Sequence, residues 1–219
     1  ALKYGHAAKF SFEALRNDDL GAFQDIPNRL GRGGRRTQNR FVTGLYVGAA
    51  GPLASLYSVG NANIVTGNPA LTVDSLALAW GMLRNQRDAN NEPIMVEAAV
   101  LVVPPSLEVT ARNILNAQRI FRTTGGGTSG AELEVNNWLV GNISLAVDPY
   151  IEVIAASNQK TSWFLFAAPS VGRPAIEVGL LAGFEEPRLY QKAANTVTIG
   201  GGIDQAAGDF LTMDQHYKG

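Results

Sequence analysis

The chain has 219 residues, 46% of them hydrophobic, with no cysteine, two histidines and a formal net charge of −1. That apolar share is too high for a disordered chain and suffices for one good core or two small ones, while the missing cysteines exclude disulfide frameworks, thiolate zinc sites and cysteine nucleophiles together. No apolar run reaches the roughly 18 to 20 residues that span a bilayer, and a histidine relay or metal site would need His6 and His216 to meet from opposite ends of the chain, so both are expected at surface or strand-edge positions.

The opening "ALKYGHAAKF" has neither an initiator methionine nor the layout of a secretory signal, which suggests a processed chain or a fragment. In "KYGHAAKFSFEAL", Lys9, Ser11 and Glu13 alternate with Phe10, Phe12 and Leu15, the pattern of a half-buried strand. "RNDDLGAF" then offers Asn17, Asp18 and Asp19 as helix caps, with acidic groups where a helix start favours them. From there to about residue 47 a long helix is expected. At 100° per residue, Leu20, Phe23, Leu30, Gly34, Thr37, Phe41 and Leu45 fall within a sector of roughly 100°, with Ile26 at its border. Arg29, Arg32, Arg36 and Arg40 occupy a second sector about 80° wide on another side, and Arg35 lies elsewhere. Gly31, Gly33, Gly34 and Gly44 each cost about 1 kcal/mol against alanine in a helix interior, and Pro27 is a place for a kink or restart. Such a helix needs a surface to lie on.

The stretch from Gly48 to Pro69 is rich in glycine, alanine, serine and asparagine and reads as a long loop or domain crossing. "TVDSLALAWGMLRNQRD" places Leu76, Trp80 and Leu83 at helical spacing, and "VEAAVLVVPP" reads as a strand buried on both faces. "PPSLEVTARNILNAQRIF" reads as a helix started by proline and Ser106, with Leu107, Ala111, Ile114 and Leu115 on its apolar side. "TTGGGTSG" is expected as a mobile loop, and strands are expected in "NISLAVDPYI", "TSWFLFAAP", "AIEVGLLAG" and "EPRLYQK". "TIGGGIDQAAGDFLTMDQHYKG" supplies a glycine-rich turn and one more strand. Helices and strands mix without a regular repeat, which predicts an α+β fold.

Little here points to catalysis. The glycine clusters "GRGG", "GGGTSG" and "IGGGID" are followed by Arg35, Ala131 and Ile203, not by the lysine and hydroxyl residue of a phosphate loop, and none has dinucleotide-fingerprint spacing. Ser129 is misspaced for a nucleophile elbow. The carboxylate pairs Asp18–Asp19, Glu132–Glu134 and Glu185–Glu186 are expected to be solvated. No catalytic residue, cofactor or metal ligand is expected. The arginine row is the one concentrated charge feature, without the interleaved aromatics of sequence-specific nucleic-acid readers. It is expected to face solvent, another subunit, or nucleic acid in loose contact.

The order of segments resembles a known family. "KFSFEALRNDDLGAFQDIPNRLGRGGRRTQNRFVTGLY" is similar to the strand and long spine helix of tailed-phage major capsid proteins, and "VLVVPPSLEVTARNIL", "LAVDPYI", "SWFLFA" and "PAIEVGLLAGFEEPRLY" resemble later segments of that family, Mu-like head subunits included, in the same order. The resemblance implies the Hong Kong ninety-seven type fold, with a peripheral domain whose long spine helix lies on an antiparallel sheet and an axial domain built on a mixed sheet flanked by helices. The implied boundaries are 1–48 for the peripheral strand and spine helix, 49–168 for the axial domain and 169–219 for the peripheral return strands. It also implies a non-enzymatic subunit of an icosahedral phage or prophage head, assembled in the cytoplasm of a bacterial host.

The implied partners are copies of the same chain as pentamers and hexamers, packaged double-stranded DNA in non-specific contact, the portal, and a scaffold or protease. Within this picture Arg29, Arg32, Arg36 and Arg40 form a subunit-facing or DNA-facing row, and Gly31, Gly33 and Gly34 form a hinge that lets the spine helix flex during maturation. Family members carry an N-terminal arm and an extended loop before the spine helix, so the chain is expected to be a truncated core without them. Two other readings share some of these features: an encapsulin-like nanocompartment shell, and a soluble nucleic-acid-binding module that uses the arginine face.

Overall fold

The computed structural model describes residues 7–11, 17, 25–96, 99–124, 131–169, 174–180, 182–183, 185–186, 188, 190–203, 209, 211 and 215–218. The chain divides into two compact units, one of Ala1–Phe41 with Gly179–Gly219 and one of Val42–Val178. Helices and strands are mixed in an α+β arrangement, as expected.

The central unit is organised around β4 (Ala99–Val103), the "AVLVV" run. It pairs in parallel with β7 (Ile143–Val147) on one side and antiparallel with β8 (Phe164–Ala167) on the other, so Leu101 faces Leu145 and Leu165 across the two ladders. Ala99, Leu101 and Val103 on one face are buried and Val100 and Val102 on the other are half-buried, so protein covers both faces and the run is apolar throughout. Ala99, Leu101 and Val103 pack with Leu76, Trp80, Ala111, Leu115, Leu139 and Ile143. On the other face Val102 joins a second cluster of Tyr46, Val47, Ile151, Ala155 and Phe164.

Three helices flank this sheet: α2 (Val73–Arg84), α3 (Glu108–Asn116) and α4 (Tyr150–Ile154). The first begins at a reciprocal cap, in which the Ser75 backbone N–H donates to Thr72 Oγ1 at 3.1 Å and the Thr72 N–H donates to Ser75 Oγ at 2.9 Å. Leu76 and Trp80 are its buried apolar residues, at the expected spacing, and Leu83 packs beside them.

Ser106 does not cap α3. A 3-10 turn, Pro105–Leu107, intervenes, and Ser106 donates its hydroxyl and its backbone N–H to Glu152 Oε1 at 2.6 and 3.1 Å. A nearby carboxylate is the stronger acceptor and takes the serine away from the helix start. The helix stops at Asn116, and "RIF" belongs to β5 (Arg119–Thr124), which pairs with β6 (Ala131–Asn136) in a hairpin. The expected helix therefore ran too far, because the "RIFRTT" alternation suits a strand better. The expected mobile loop at 125–130 lies outside the described residues.

The stretch from Val47 to Pro69 is irregular, as expected, apart from a small hairpin of β2 (Val47–Gly48) and β3 (Gly51–Pro52). Gly51 closes it with φ +103°, and a Cβ there would meet Ser162 Oγ at 2.6 Å, so no other residue fits without displacement. The strand expected in "AIEVGLLAG" does not form over 174–180. Val178 and Leu180 are exposed there, and no strand among the described residues pairs with the segment. Apolar composition alone cannot supply the missing ladder.

In the other unit, β1 (Ala7–Phe10), β9 (Tyr190–Gln191) and β10 (Gln215–Lys218) form an antiparallel sheet in the order β1-β10-β9. Lys9 stands opposite His216. His216 is therefore in the middle strand and not at an edge, while His6 lies outside the described residues. The first strand ends at Phe10, short of the expected run, and residues 12–16 are likewise outside them.

The long helix α1 spans Ile26–Thr43. Asn17 lies in a turn, and residues 18–24, with the proposed caps Asp18 and Asp19 and the stripe residues Leu20 and Phe23, are outside the described residues. Pro27 is the second helical residue, where a missing N–H costs no helical bond, so it opens the helix and does not kink it. The helix ends at Thr43, earlier than expected. Leu45 N–H bonds Val42 O at 3.1 Å and Tyr46 N–H bonds Thr43 O at 3.2 Å, so Gly44 and Leu45 sit in a tight turn and leave the helical stripe.

Candidate functional site

The helical wheel of α1 separates a half-covered side from a polar one. Leu30, Gly34 and Thr37 are half-buried, while Phe41 keeps 49% of its surface and Leu45 lies beyond the helix end. The expected core-facing stripe is thus only partly covered. Arg29, Arg32, Arg36 and Arg40 are all exposed, and so are Arg35, Asn28 and Asn39. Adjacent arginines in the row are three or four residues apart, so their side chains emerge roughly one turn, about 5 Å, from each other along the helix axis.

Among the described residues one acid meets this row. Asp25 Oδ2 accepts from Arg29 Nε at 2.9 Å, and Asp25 Oδ1 lies 3.5 Å from Arg32 Nη2. Its carboxyl is held below the usual carboxylate range, chiefly by the Arg29 hydrogen bond and also by the bond from Asn28. Both arginines remain largely exposed, at 72% and 66% of their side chains. A pair this solvated adds little to stability.

The glycines of the proposed hinge lie within unbroken helix. A Cβ on Gly31 or Gly33 would meet nothing within 4 Å among the described residues. No close packing therefore requires glycine at those two positions. The hydroxyl of Thr37 bonds back to Gly33 O at 3.0 Å, a contact that tends to bend helices slightly.

At its C-terminal end the helix meets a polar knot that the sequence reading missed. Thr43 Oγ1 and Tyr46 Oη both donate to Asp148 Oδ2, at 2.5 and 2.6 Å, and the Tyr150 N–H donates to Asp148 Oδ1 at 2.8 Å. The Asp148 N–H in turn donates to Val103 O at 2.9 Å. The Tyr46 ring lies edge-on to Phe164 and Phe166, with centroids 4.9 and 5.2 Å away. Burial, with the Asp148 carboxylate beside it, raises the Tyr46 phenol above its ordinary range, and burial does the same to Tyr57. An aspartate followed by proline at the end of a strand was the available signal, but it marks a turn and names no partner.

Among the described residues, neither the glycine clusters nor the carboxylate pairs form a recognisable catalytic arrangement. Of the glycine clusters, "GRGG" is helical, and the last is a turn closed by the Val197–Ile203 bridge, with Gly201 and Gly202 at φ +85° and +97°. "GGGTSG" falls outside the described residues at 125–130. Glu134 is exposed and pairs with Arg119 at 3.0 Å, and Glu185 and Glu186 are exposed. The described residues contain no group of three or more His, Asp or Glu fit to hold a metal ion, and no helix among them is long and apolar enough to cross a membrane. A shallow depression of about 170 Å³ is lined by Arg112, Leu115, Asn116, Val140, Ile143 and Leu145, among others, with no acid or nucleophile in its wall.

Compared with known proteins, residues 1–212 match a family model described as phage capsid protein. No curated protein and no solved structure matches the chain.

Proposed function

The chain belongs to the phage capsid protein family, and from that premise we propose that it is a head subunit of the Hong Kong ninety-seven type, close to Mu-like and prophage heads. The family is a structural one, whose members assemble into a shell and are components of the virion. In our reading the copies associate as pentamers and hexamers and close an icosahedral shell around double-stranded DNA in the cytoplasm of a bacterial host. A portal and a scaffold or protease take part in assembly. The subunit performs no catalysis: it works through many modest contacts that close under symmetry.

The observation that carries the shell-subunit reading is the family match over residues 1–212, nearly the whole chain; the Hong Kong ninety-seven type rests on the resemblance of the segments and their order. The division into units supports it. Residues near both ends of the chain share a unit that contains an antiparallel sheet, and the middle forms a separate unit with a mixed sheet and flanking helices. We assign residues 1–48 and 169–219 to a peripheral domain and 49–168 to an axial domain. Gly31, Gly33 and Gly34 give the spine helix the flexibility that shell maturation demands.

Electron microscopy of the full-length protein, expressed alone and with its neighbouring head genes, tests the assignment. Closed icosahedral particles that take up DNA in the second case are expected. Particles filled with protein cargo and refractory to DNA would make it a nanocompartment shell. A protein that forms no particles and binds DNA as a discrete module would overturn the shell assignment altogether.

A further inference from the structure

The charge on α1 is more one-sided than the arginine row alone conveys. From Ile26 to Val73 the sequence holds no Asp or Glu, yet five arginines fall between positions 29 and 40, in a chain whose net charge is −1. All five are exposed. Arg29, Arg32, Arg36 and Arg40 run roughly 16 Å along one side of the helix, with Arg35, Asn28 and Asn39 beside them. That length spans about five phosphates of one DNA strand at roughly 3.4 Å of axial rise each. No lysine occurs in the helix. The guanidinium fork suits phosphate oxygens, and a row without aromatic side chains engages backbone and not bases.

Asp25 occupies one end of this row, with one carboxylate oxygen on Arg29 and the other near Arg32. Arg36 and Arg40 have no acidic partner among the described residues. The carboxylate thus presents two oxygens to two neighbouring guanidinia, as a phosphate would. Half of the row is engaged internally and half is open.

We propose that the polar face of α1 seats the sugar–phosphate backbone of double-stranded DNA, independent of sequence, and that Asp25 stands in for a phosphate on Arg29 and Arg32 until the DNA displaces it. The choice of DNA among polyanions rests on the reading of the chain as a shell subunit around a DNA genome. Asp25 keeps the contact weak and salt-sensitive. Packaged DNA then meets a surface it can slide over and leave, not one that grips it.

The test is fluorescence anisotropy of a labelled 30-base-pair duplex of mixed sequence with the full chain at several salt concentrations, after circular dichroism confirms that each variant is folded. The wild type should bind with a slope of log affinity on log salt of about −3.6, the value for four phosphates, and Arg36→Gln/Arg40→Gln should bring it to about −1.8. Asp25→Asn should tighten binding about fivefold at fixed salt. Glu186→Gln, which removes an exposed acid outside the row, should change it less than twofold. An unchanged slope in the double arginine variant overturns the proposal, as does an effect of Asp25→Asn no larger than that of Glu186→Gln. Loss of self-association in the arginine variant with DNA binding intact would assign the row to a second copy of the chain and equally overturn it. Particle formation by the same proteins is scored separately: shells that close normally while DNA binding fails refute this inference alone, whereas a wild type that never forms shells refutes the reading beneath it.

Discussion

Asp148 shows how much a single side chain can organise. Its two oxygens take hydroxyls from Thr43 and Tyr46 and a backbone N–H from Tyr150, while its own N–H continues the ladder to Val103. Hydrogen bonds to a charged acceptor in a partly buried site contribute about 1.5 to 3 kcal/mol each, and they are not additive. Tyr46→Phe keeps the ring contacts with Phe164 and Phe166 and loses one such bond, so a loss of about 1.5 kcal/mol in urea unfolding is expected. Asp148→Ala strands both hydroxyls and should cost about 3 kcal/mol or more. Equal effects would mean that the tyrosine bond is the only one that matters. The exposure of the arginines was legible in the sequence, because charge at helical period declares which side is wet. The knot was not, because its partners lie 105 and 102 positions away and no local pattern links them.

Among the elements, those with a strong period or a long apolar run were readable. β4 and α2 emerged where "AVLVV" and the Leu76–Trp80 spacing placed them. Two of the failures share one cause. "NAQRIF" and "AIEVGLLAG" are apolar enough for either regular structure, and what decides is whether a neighbour supplies a ladder: β6 does so for β5, and no described strand does so for 176–180. The long helix was legible as an amphipathic rod, whereas its end at Thr43 was set by the turn that delivers Tyr46 to Asp148. Its glycines allow a direct trial. Since a Cβ on Gly31 or Gly33 meets nothing within 4 Å among the described residues, Gly31→Ala/Gly33→Ala should raise stability by about 2 kcal/mol through helix propensity. If flexibility there serves maturation, the more stable protein should also yield fewer mature particles by electron microscopy. A variant no more stable than the parent would show that these positions are not simple helix interior.

For the whole molecule, ionisation sets a window of stability. Asp25, Glu152 and Glu185 all have carboxyls held below their ordinary values: the first chiefly by Arg29, the second by the Ser106 hydroxyl and the third by the Gly183 N–H. Groups lowered on folding stabilise the native state above their unfolded pKa, and that contribution fades as pH falls through the folded value. Tyr46 and Tyr57 are raised above 10.0, so the native state holds their protons more tightly and loses stability as pH climbs past the unfolded value. Thermal midpoints should therefore be flat from about pH 6 to 9, declining gently in acid and more steeply in alkali, where the shifted groups are buried. A midpoint that rises above pH 10 would contradict the tyrosine environments.

The pairing of β1 with β10 bears on the order of events during synthesis. The first strand leaves the ribosome about 200 residues ahead of the partner that must lie beside it, while every strand of the central sheet is already available. Translation therefore completes the sheet with its middle strand last, joining β1 and β9 to a common neighbour. A nascent chain therefore has no finished sheet in that unit until residues 215–218 have been made, and until then β1 and β9 both lack the neighbour they share.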